Sequence, residues 1–419
     1  MARFEREKLQ AFVMTGEKSP PPVFVGREDI IGDIEERGRL AWRSGALAAH
    51  GEAGATRVIQ GAPGAGKSSI LAELESRSLK ADDERAPRVL FLTSEMLEES
   101  LPNVLVRLEA AGRMEWGEWF ERGRDLWMSA VKQVTSVSVA GAGINLAYRE
   151  WNGLEGLRNV LPPDQWVRPV IVAVDEAQNL PTEKNTPLGH FLRGIHNGRT
   201  GLPLTLVLAG LGDTEAVANE IGLTRGLEIR HLGCLDSGDS CRLMRRFCRH
   251  FRMEPEGQGE RLDRLARDTE GWPRHLHIAL QSLGREALTA EGDLSRIDWA
   301  LTASRAAENR IRHYYARQSP AMKDAKGLTA SVMHDLEGRL DRADILGLIR
   351  SHVSDRTGHE LPRSMSAHDF REHLVHQGAL QERGDGSFHC PIPSFRNFLV
   401  EAGGLGPRST GRSQSPPDV

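Results

Sequence analysis

The chain has 419 residues, of which 39% are hydrophobic and 27% charged, the balance of a globular protein too long for one ordinary core, so two or three domains are expected. A net charge of −4 gives no overall pull toward nucleic acid, and any DNA contact needs a local basic face. No run of eighteen apolar residues occurs, and the N-terminus, Met1-Ala-Arg-Phe-Glu-Arg-Glu-Lys8, is charged where a secretory leader needs an apolar core, which argues against the membrane and points to the cytoplasm.

Taken in chain order, residues 1–22 hold a short charged helix candidate followed by Ser19-Pro20-Pro21-Pro22, a stiff proline run suited to a linker. The folded core is predicted from Val23. Thr56 to Gln60, with Val58-Ile59 as its apolar centre, is read as a short strand that enters a glycine-rich loop, and Ser69 to Leu79 carries leucines and an isoleucine at helical spacing, so strand, loop and helix follow one another. Val89 to Thr93 is a second strand candidate. After it, residues 95–165 are rich in Trp and charge, with Val134 to Ala147 alternating like a hairpin; this stretch reads as an insertion between core strands.

Val170 to Val174 is an uninterrupted apolar run, and Leu204 to Ala209 repeats the pattern but for Thr205, as expected of parallel strands buried on both faces. Leu227 to Arg230 reads as an edge strand. From Ser237 to Leu288 the pattern is helical, with Asp236, Ser237 and Asp239 available as N-caps, and 235–300 is expected to form a helical lid. Cys234, Cys241 and Cys248 recur every seven residues, unlike the close pairs of zinc sites, and are expected to be reduced residues near a helix face. Residues 301–402 are read as helices ending in a hairpin across Ala379 to Cys390, turned at Gly384-Asp-Gly386, the pattern of a winged-helix domain. The tail 403–419, rich in Gly, Ser, Pro and Arg, is expected to be disordered. The predicted fold class is α/β, with a parallel sheet core over 23–234.

Gly61-Ala62-Pro63-Gly64-Ala65-Gly66-Lys67-Ser68 fits G-x-x-x-x-G-K-[ST] completely and lies between a predicted strand and a predicted helix, which is the context the P-loop (Walker A) mechanism requires. The glycines let backbone N–H groups turn inward to cradle phosphate oxygens, and the following helix start, including Ser69, adds partial positive charge. Lys67 is suited to neutralise the β and γ phosphates, and Ser68 to offer a hydroxyl to Mg²⁺. An incidental glycine turn is the plain alternative, and the strand-to-helix context speaks against it.

Val170-Ile-Val-Ala-Val-Asp175-Glu176 sets an acidic pair at the end of a buried strand, the edge where open α/β sheets bind ligands. Asp175 is placed to hold the metal through water, and Glu176 to polarise an attacking water, since phosphoryl transfer rests on positioning and electrostatics. By itself such a pair is more often a solvated loop start. The P-loop upstream reverses that balance.

Phe24-Val-Gly-Arg-Glu28, the P-loop, Asp175-Glu-Ala-Gln-Asn179 and Gly271-Trp-Pro-Arg274 occur in this order, and over residues 23–400 the chain resembles AAA+ and STAND-type ATPases, especially the branch of archaeal origin-recognition initiators. The resemblance implies ATP and Mg²⁺ as ligands and an ATP hydrolase that works as a switch. It implies base-side contacts from Val25, Gly26 and Arg27, a sensor arginine at Arg274 reaching the γ-phosphate, and an arginine finger at Arg225 for a neighbouring copy. Apart from the resemblance, the first is a surface turn before a helix and the two arginines are solvated side chains. One departure stands out: Ala209-Gly-Leu-Gly-Asp213 puts Leu211 where many relatives carry a polar sensor, so that either Asp213 substitutes or hydrolysis is slow.

The resemblance also gives the C-terminal domain a partner, either duplex DNA or a regulatory protein. Charges across 311–400 nearly balance, so a DNA face would need a cluster such as Arg363, Arg371, Arg383 and Arg396. His368, His373 and His376 are read as helix-surface residues and not as a metal set. A small-molecule kinase is disfavoured because no acceptor motif accompanies Asp175-Glu-Ala-Gln178. GTPase action lacks its Asn-Lys-x-Asp signature, since Lys184-Asn185 runs in the wrong order.

Overall fold

The computed structural model describes residues 4–15, 22–44, 56–99, 108, 166–336, 342–354, 359–382 and 386–405, apart from short gaps at 82, 84–85, 184–185, 199, 201, 254–256 and 363–364. The chain divides into two compact units: Lys18–Gly61 with Ala65–Leu232, and Met1–Glu17 with Ala62–Gly64 and Gly233–Val419. The hairpin expected at Val134 to Ala147, most of the 95–165 insertion and the tail beyond 405 lie outside the described residues.

The first unit is built on a five-stranded sheet, β1 (Arg57–Gln60), β2 (Arg88–Thr93), β3 (Val170–Asp175), β4 (Leu204–Gly210) and β5 (Glu228–His231), in the order β2-β3-β4-β1-β5. Every pairing is parallel. Every residue of β3 and β4 is buried, which is why those two stretches, but for Asp175 and Thr205, are apolar and not alternating. The expected edge strand is β5, paired to β1 alone. Register sets Gln60 beside Gly210 and Thr93 beside Asp175, so the strands that carry the motifs end along one edge of the sheet.

Helices cover the sheet. Glu28–Ser44 packs on β4 and on Lys67–Lys80, which in turn packs on β2, β3 and β4; Pro187–His196 also lies on β4. Arg57, 1% exposed at the start of β1, would be costly to bury alone. It is held by Asp33 at 2.6 Å and Glu228 at 2.6 Å, so one guanidinium ties β1 to the Glu28–Ser44 helix and to β5.

The second unit is mainly helical. The N-terminal helix Arg6–Thr15, read from the sequence as a segment ahead of the core, groups with this unit. The reason lies in its apolar side: Leu9 and Phe12 are buried, and Phe12 meets Phe247 at 5.3 Å and His277 at 5.4 Å, both edge to face. Such contacts add to simple area burial. Helices Ser237–His250, Gly259–Arg267, Pro273–Thr289 and Trp299–Arg317 follow. Asp236 caps the first through the Asp239 amide. Cys241 and Cys248 lie on that helix, and burial pushes the Cys248 thiol up to about 12.

The helices Lys326–Asp335, Arg342–Ser354 and Ala367–His376 pack in sequence, and Pro393–Ala402 returns onto Lys326–Asp335. Ser366 and Asp369 form a capping box at the start of the third. Between Ala367–His376 and Pro393–Ala402, β6 (Gln381–Glu382) and β7 (Phe388–His389) pair antiparallel, in the stretch where a hairpin is expected. Among the described residues no helix is long and apolar enough to cross a membrane.

Candidate functional site

The loop after β1 departs from ordinary backbone where glycine is needed: Gly64 has φ 87° and Gly66 φ 95°, conformations that side-chain-bearing residues rarely adopt. Gly66 is the last residue before the helix Lys67–Lys80, so the chain passes directly from the loop into a helix N-terminus whose first amides have no partner within the helix. The Gly61 amide donates to the Gly210 carbonyl at 3.2 Å, which anchors the loop to the end of β4. Lys67 is buried and folds back to donate from Nζ to the Gly61 carbonyl at 2.9 Å. Ser69 lies half-buried in the first helical turn.

From across the sheet, the Ser68 Oγ donates to Asp175 Oδ2 at 2.6 Å. Asp175 ends β3, is 6% exposed, and accepts the Glu176 amide on Oδ1 at 3.0 Å. Burial raises its carboxyl above the usual range; the Ser68 and Glu176 hydrogen bonds and the Lys67 charge pull the other way, while the neighbouring Glu176 charge adds to the rise. A hydroxyl and a carboxylate held together are the hard oxygen donors that Mg²⁺ prefers, with water and phosphate oxygens completing its shell. The residues present therefore fit that ion.

Glu176 is exposed and has φ 53°. A left-handed conformation in a residue other than glycine costs about 1–3 kcal/mol and clusters at functional positions. Gln178, in the 3₁₀ turn Ala177–Asn179, donates from Nε2 to Glu176 Oε2 at 2.5 Å and accepts the Leu211 amide on Oε1 at 3.0 Å. No role for Gln178 follows from the sequence reading. Its signal was its place two residues beyond the acidic pair. Leu211 is buried, with an apolar side chain as expected, and it is the backbone that makes the polar contact. Asp213 stands at the N-cap of Thr214–Ile221.

Val25 is buried, Gly26 has φ 84°, and the Gly26 amide donates to Glu28 Oε2 at 2.8 Å. Arg27 follows half-buried, and its carbonyl accepts the Ile31 amide. The segment is thus the entry to the helix that packs on Lys67–Lys80. Arg225 is exposed in the turn before β5.

In the helical unit, to which Ala62–Gly64 belong, Arg274 occupies the first turn of Pro273–Thr289 and its amide donates to the Gly64 carbonyl at 3.1 Å. The preceding Gly271 has φ 70°, and a Cβ there would lie 2.2 Å from the Leu235 carbonyl oxygen. Trp272 beside it is fully buried.

Of the basic set that a DNA face on the C-terminal domain would need, the two described members, Arg371 and Arg396, are engaged within the domain. Arg371 is 0% exposed, paired with Glu372 and lying over the Phe388 ring at 5.7 Å. Arg396 donates to the carbonyls of Met333 and His334 at 2.6 and 3.0 Å. Both guanidiniums serve packing, because a charge that faces the interior must be paired there. Arg363 and Arg383 lie outside the described residues.

No protein-family model and no curated protein matches the chain. In fold it is similar to the ORC2 protein of Aeropyrum pernix in its ADPNP–ADP complexes, at 14% identity over 96% of this chain and 98% of that one, with a TM-score of 0.53. The same protein in its ADP form gives 14%, 96%, 99% and 0.52. A Walker-type ATPase of Pyrococcus abyssi gives 16%, 91%, 99% and 0.51. At these identities the likeness is one of fold. It agrees with the α/β P-loop core and with the archaeal origin-recognition resemblance drawn from the motifs.

Proposed function

We propose that the chain binds ATP with Mg²⁺ and hydrolyses it, working as a nucleotide-dependent molecular switch. The observation that carries this reading is the convergence of Ser68 and Asp175 at 2.6 Å, at the mouth of a glycine loop that opens onto a helix N-terminus. Within the loop Gly61 to Ser69, the backbone amides from Gly64 onward cradle the phosphates, Pro63 having no N–H and that of Gly61 being held by Gly210. Lys67 turns from the Gly61 carbonyl to the β and γ phosphates, exchanging a neutral acceptor for an anionic one. Ser68 and Asp175 hold Mg²⁺, which supplies charge neutralisation at the phosphates when bound.

Glu176 orients the attacking water and takes its proton. The water oxygen bonds to the γ phosphorus as the bond from that phosphorus to the β–γ bridging oxygen breaks, leaving ADP and inorganic phosphate. Val25, Gly26 and Arg27 line the base side. Arg274 reports the nucleotide state from the helical unit, and its backbone tie to Gly64 supports that role.

The same reading gives Arg225 to a neighbouring copy's site in a self-oligomer. It also gives the C-terminal helices and hairpin, read as a winged helix, a macromolecular partner. That partner is a regulatory protein or duplex DNA; with Arg371 and Arg396 engaged inside the region, a DNA face there would draw on other cations. Lys67→Ala tests the whole reading: it is expected to abolish Mg-ATP binding, measured by titration with a fluorescent ATP analogue. Affinity equal to that of the parent protein would contradict the site.

A further inference from the structure

We infer that Gln178 is the positioning residue that holds Glu176 for hydrolysis and couples it to the end of β4; the inference rests on the ATPase reading above. Gln178 is 9% exposed, and its amide has one partner at each end. Its orientation follows from chemistry: the Leu211 N–H can only donate and an ionised Glu176 carboxylate can only accept, so Oε1 faces the first and Nε2 the second. The two contacts together span the gap between the turn after β3 and the first residue beyond β4.

The surroundings are shaped for this amide. A Cβ at Gly210 would lie 2.5 Å from Gln178 Oε1 and 2.1 Å from Thr214 Oγ1, so any larger residue there would displace the amide from Leu211. The helix Thr214–Ile221 packs on the Ala177–Asn179 turn, and Thr214 closes the corner by donating to the Leu211 carbonyl at 2.7 Å. The Gly210 carbonyl accepts from Gly61, the first residue of the phosphate loop. A shift of the loop therefore reaches Glu176 by way of Gly210, Leu211 and Gln178.

The arrangement also answers the apolar residue at Leu211. The polar group at that corner is supplied by the Gln178 side chain, held by the Leu211 backbone, which any residue at 211 except proline provides. With Oε2 of Glu176 held by Gln178, Oε1 is the oxygen left to meet the water, and its direction is set from behind.

The test compares parent protein, Gln178→Ala and Gln178→Glu in steady-state ATPase assays with Mg²⁺, together with binding of a fluorescent ATP analogue and thermal melting. Gln178→Ala is expected to lower kcat by about tenfold to a hundredfold with KM and analogue affinity within about twofold. Gln178→Glu keeps the shape and the acceptor for Leu211 but sets a second carboxylate against Glu176. It is expected to lower kcat at least as far as Gln178→Ala, since a second anion repels the Glu176 carboxylate where the amide had donated to it, again with analogue affinity within about twofold. A fall in kcat at unchanged affinity and unchanged melting midpoint is not produced by loss of stability. An unchanged kcat in Gln178→Ala, or a fall in kcat matched by the fall in nucleotide affinity, would overturn the inference; a parent protein that neither binds nor hydrolyses ATP would instead overturn the reading beneath it.

Discussion

The Ser68 hydroxyl donates to the Asp175 carboxylate at 2.6 Å, although 107 residues separate them in the chain. That contact exists because β1 and β3 both flank β4 and end on the same sheet edge. If it marks a metal position, Asp175→Asn removes the anionic half of the donor pair and leaves the fold. Mg²⁺ is then expected to lose most of its effect on nucleotide affinity, while binding without metal persists. Isothermal titration of ATP with and without Mg²⁺ checks this, and a full metal dependence in the variant would contradict the assignment.

Glu176→Gln keeps a side chain of the same size at the exposed turn and removes the proton acceptor. ATP binding is expected to be retained, with turnover lowered by about a hundredfold or more. Single-turnover assays should find bound ATP that is released unhydrolysed. Parent-like turnover would show that another group accepts the proton.

Acid should weaken the helical unit. Burial, then the Arg310 charge, drives His275 down to about 3, and burial with the Arg317 and Arg274 charges drives His313 down to about 4. Above the ordinary histidine range both folded and unfolded chains hold these rings neutral, and no pH dependence arises from them. As pH falls through about 6.5 toward 4 the unfolded chain gains protons that the folded one refuses, so stability declines by up to about 1.4 kcal/mol per pH unit for each ring. Urea unfolding at pH 7.5 and pH 5 should show that decline, and His313→Gln should make it shallower. Identical slopes in the two proteins would refute it.

Gly271→Ala should be among the most damaging single substitutions in the helical unit. The backbone is left-handed there, and the added methyl would meet the Leu235 carbonyl carbon and oxygen, which accompany the 2.8 Å hydrogen bond from Leu235 to Gly271. A loss of about 2–4 kcal/mol is expected, read as a lower unfolding midpoint. A change within experimental error would mean that the turn relaxes at little cost.

What can be read along the chain is what neighbours in sequence decide. The apolar run Val170 to Val174 announces a strand buried on both faces, and glycines at 64 and 66 announce a loop that turns into a helix, because each depends on a few adjacent residues. The hairpin near Gly386 is legible for the same reason, although its strands are only two residues each.

Contacts between distant residues depend on strand order and on which helix face turns inward, and these only the tertiary structure decided. Arg371 reads as a surface cation until its helix is seen to bury it against Phe388. The Arg6–Thr15 helix reads as a detached segment until Phe12 meets Phe247. The sequence marks Gln178 only by its place two residues beyond the acidic pair. Its amide acquires a partner at each end because β4 runs beside β3 and stops at a glycine, bringing the Leu211 N–H, 33 residues away, within hydrogen-bonding distance.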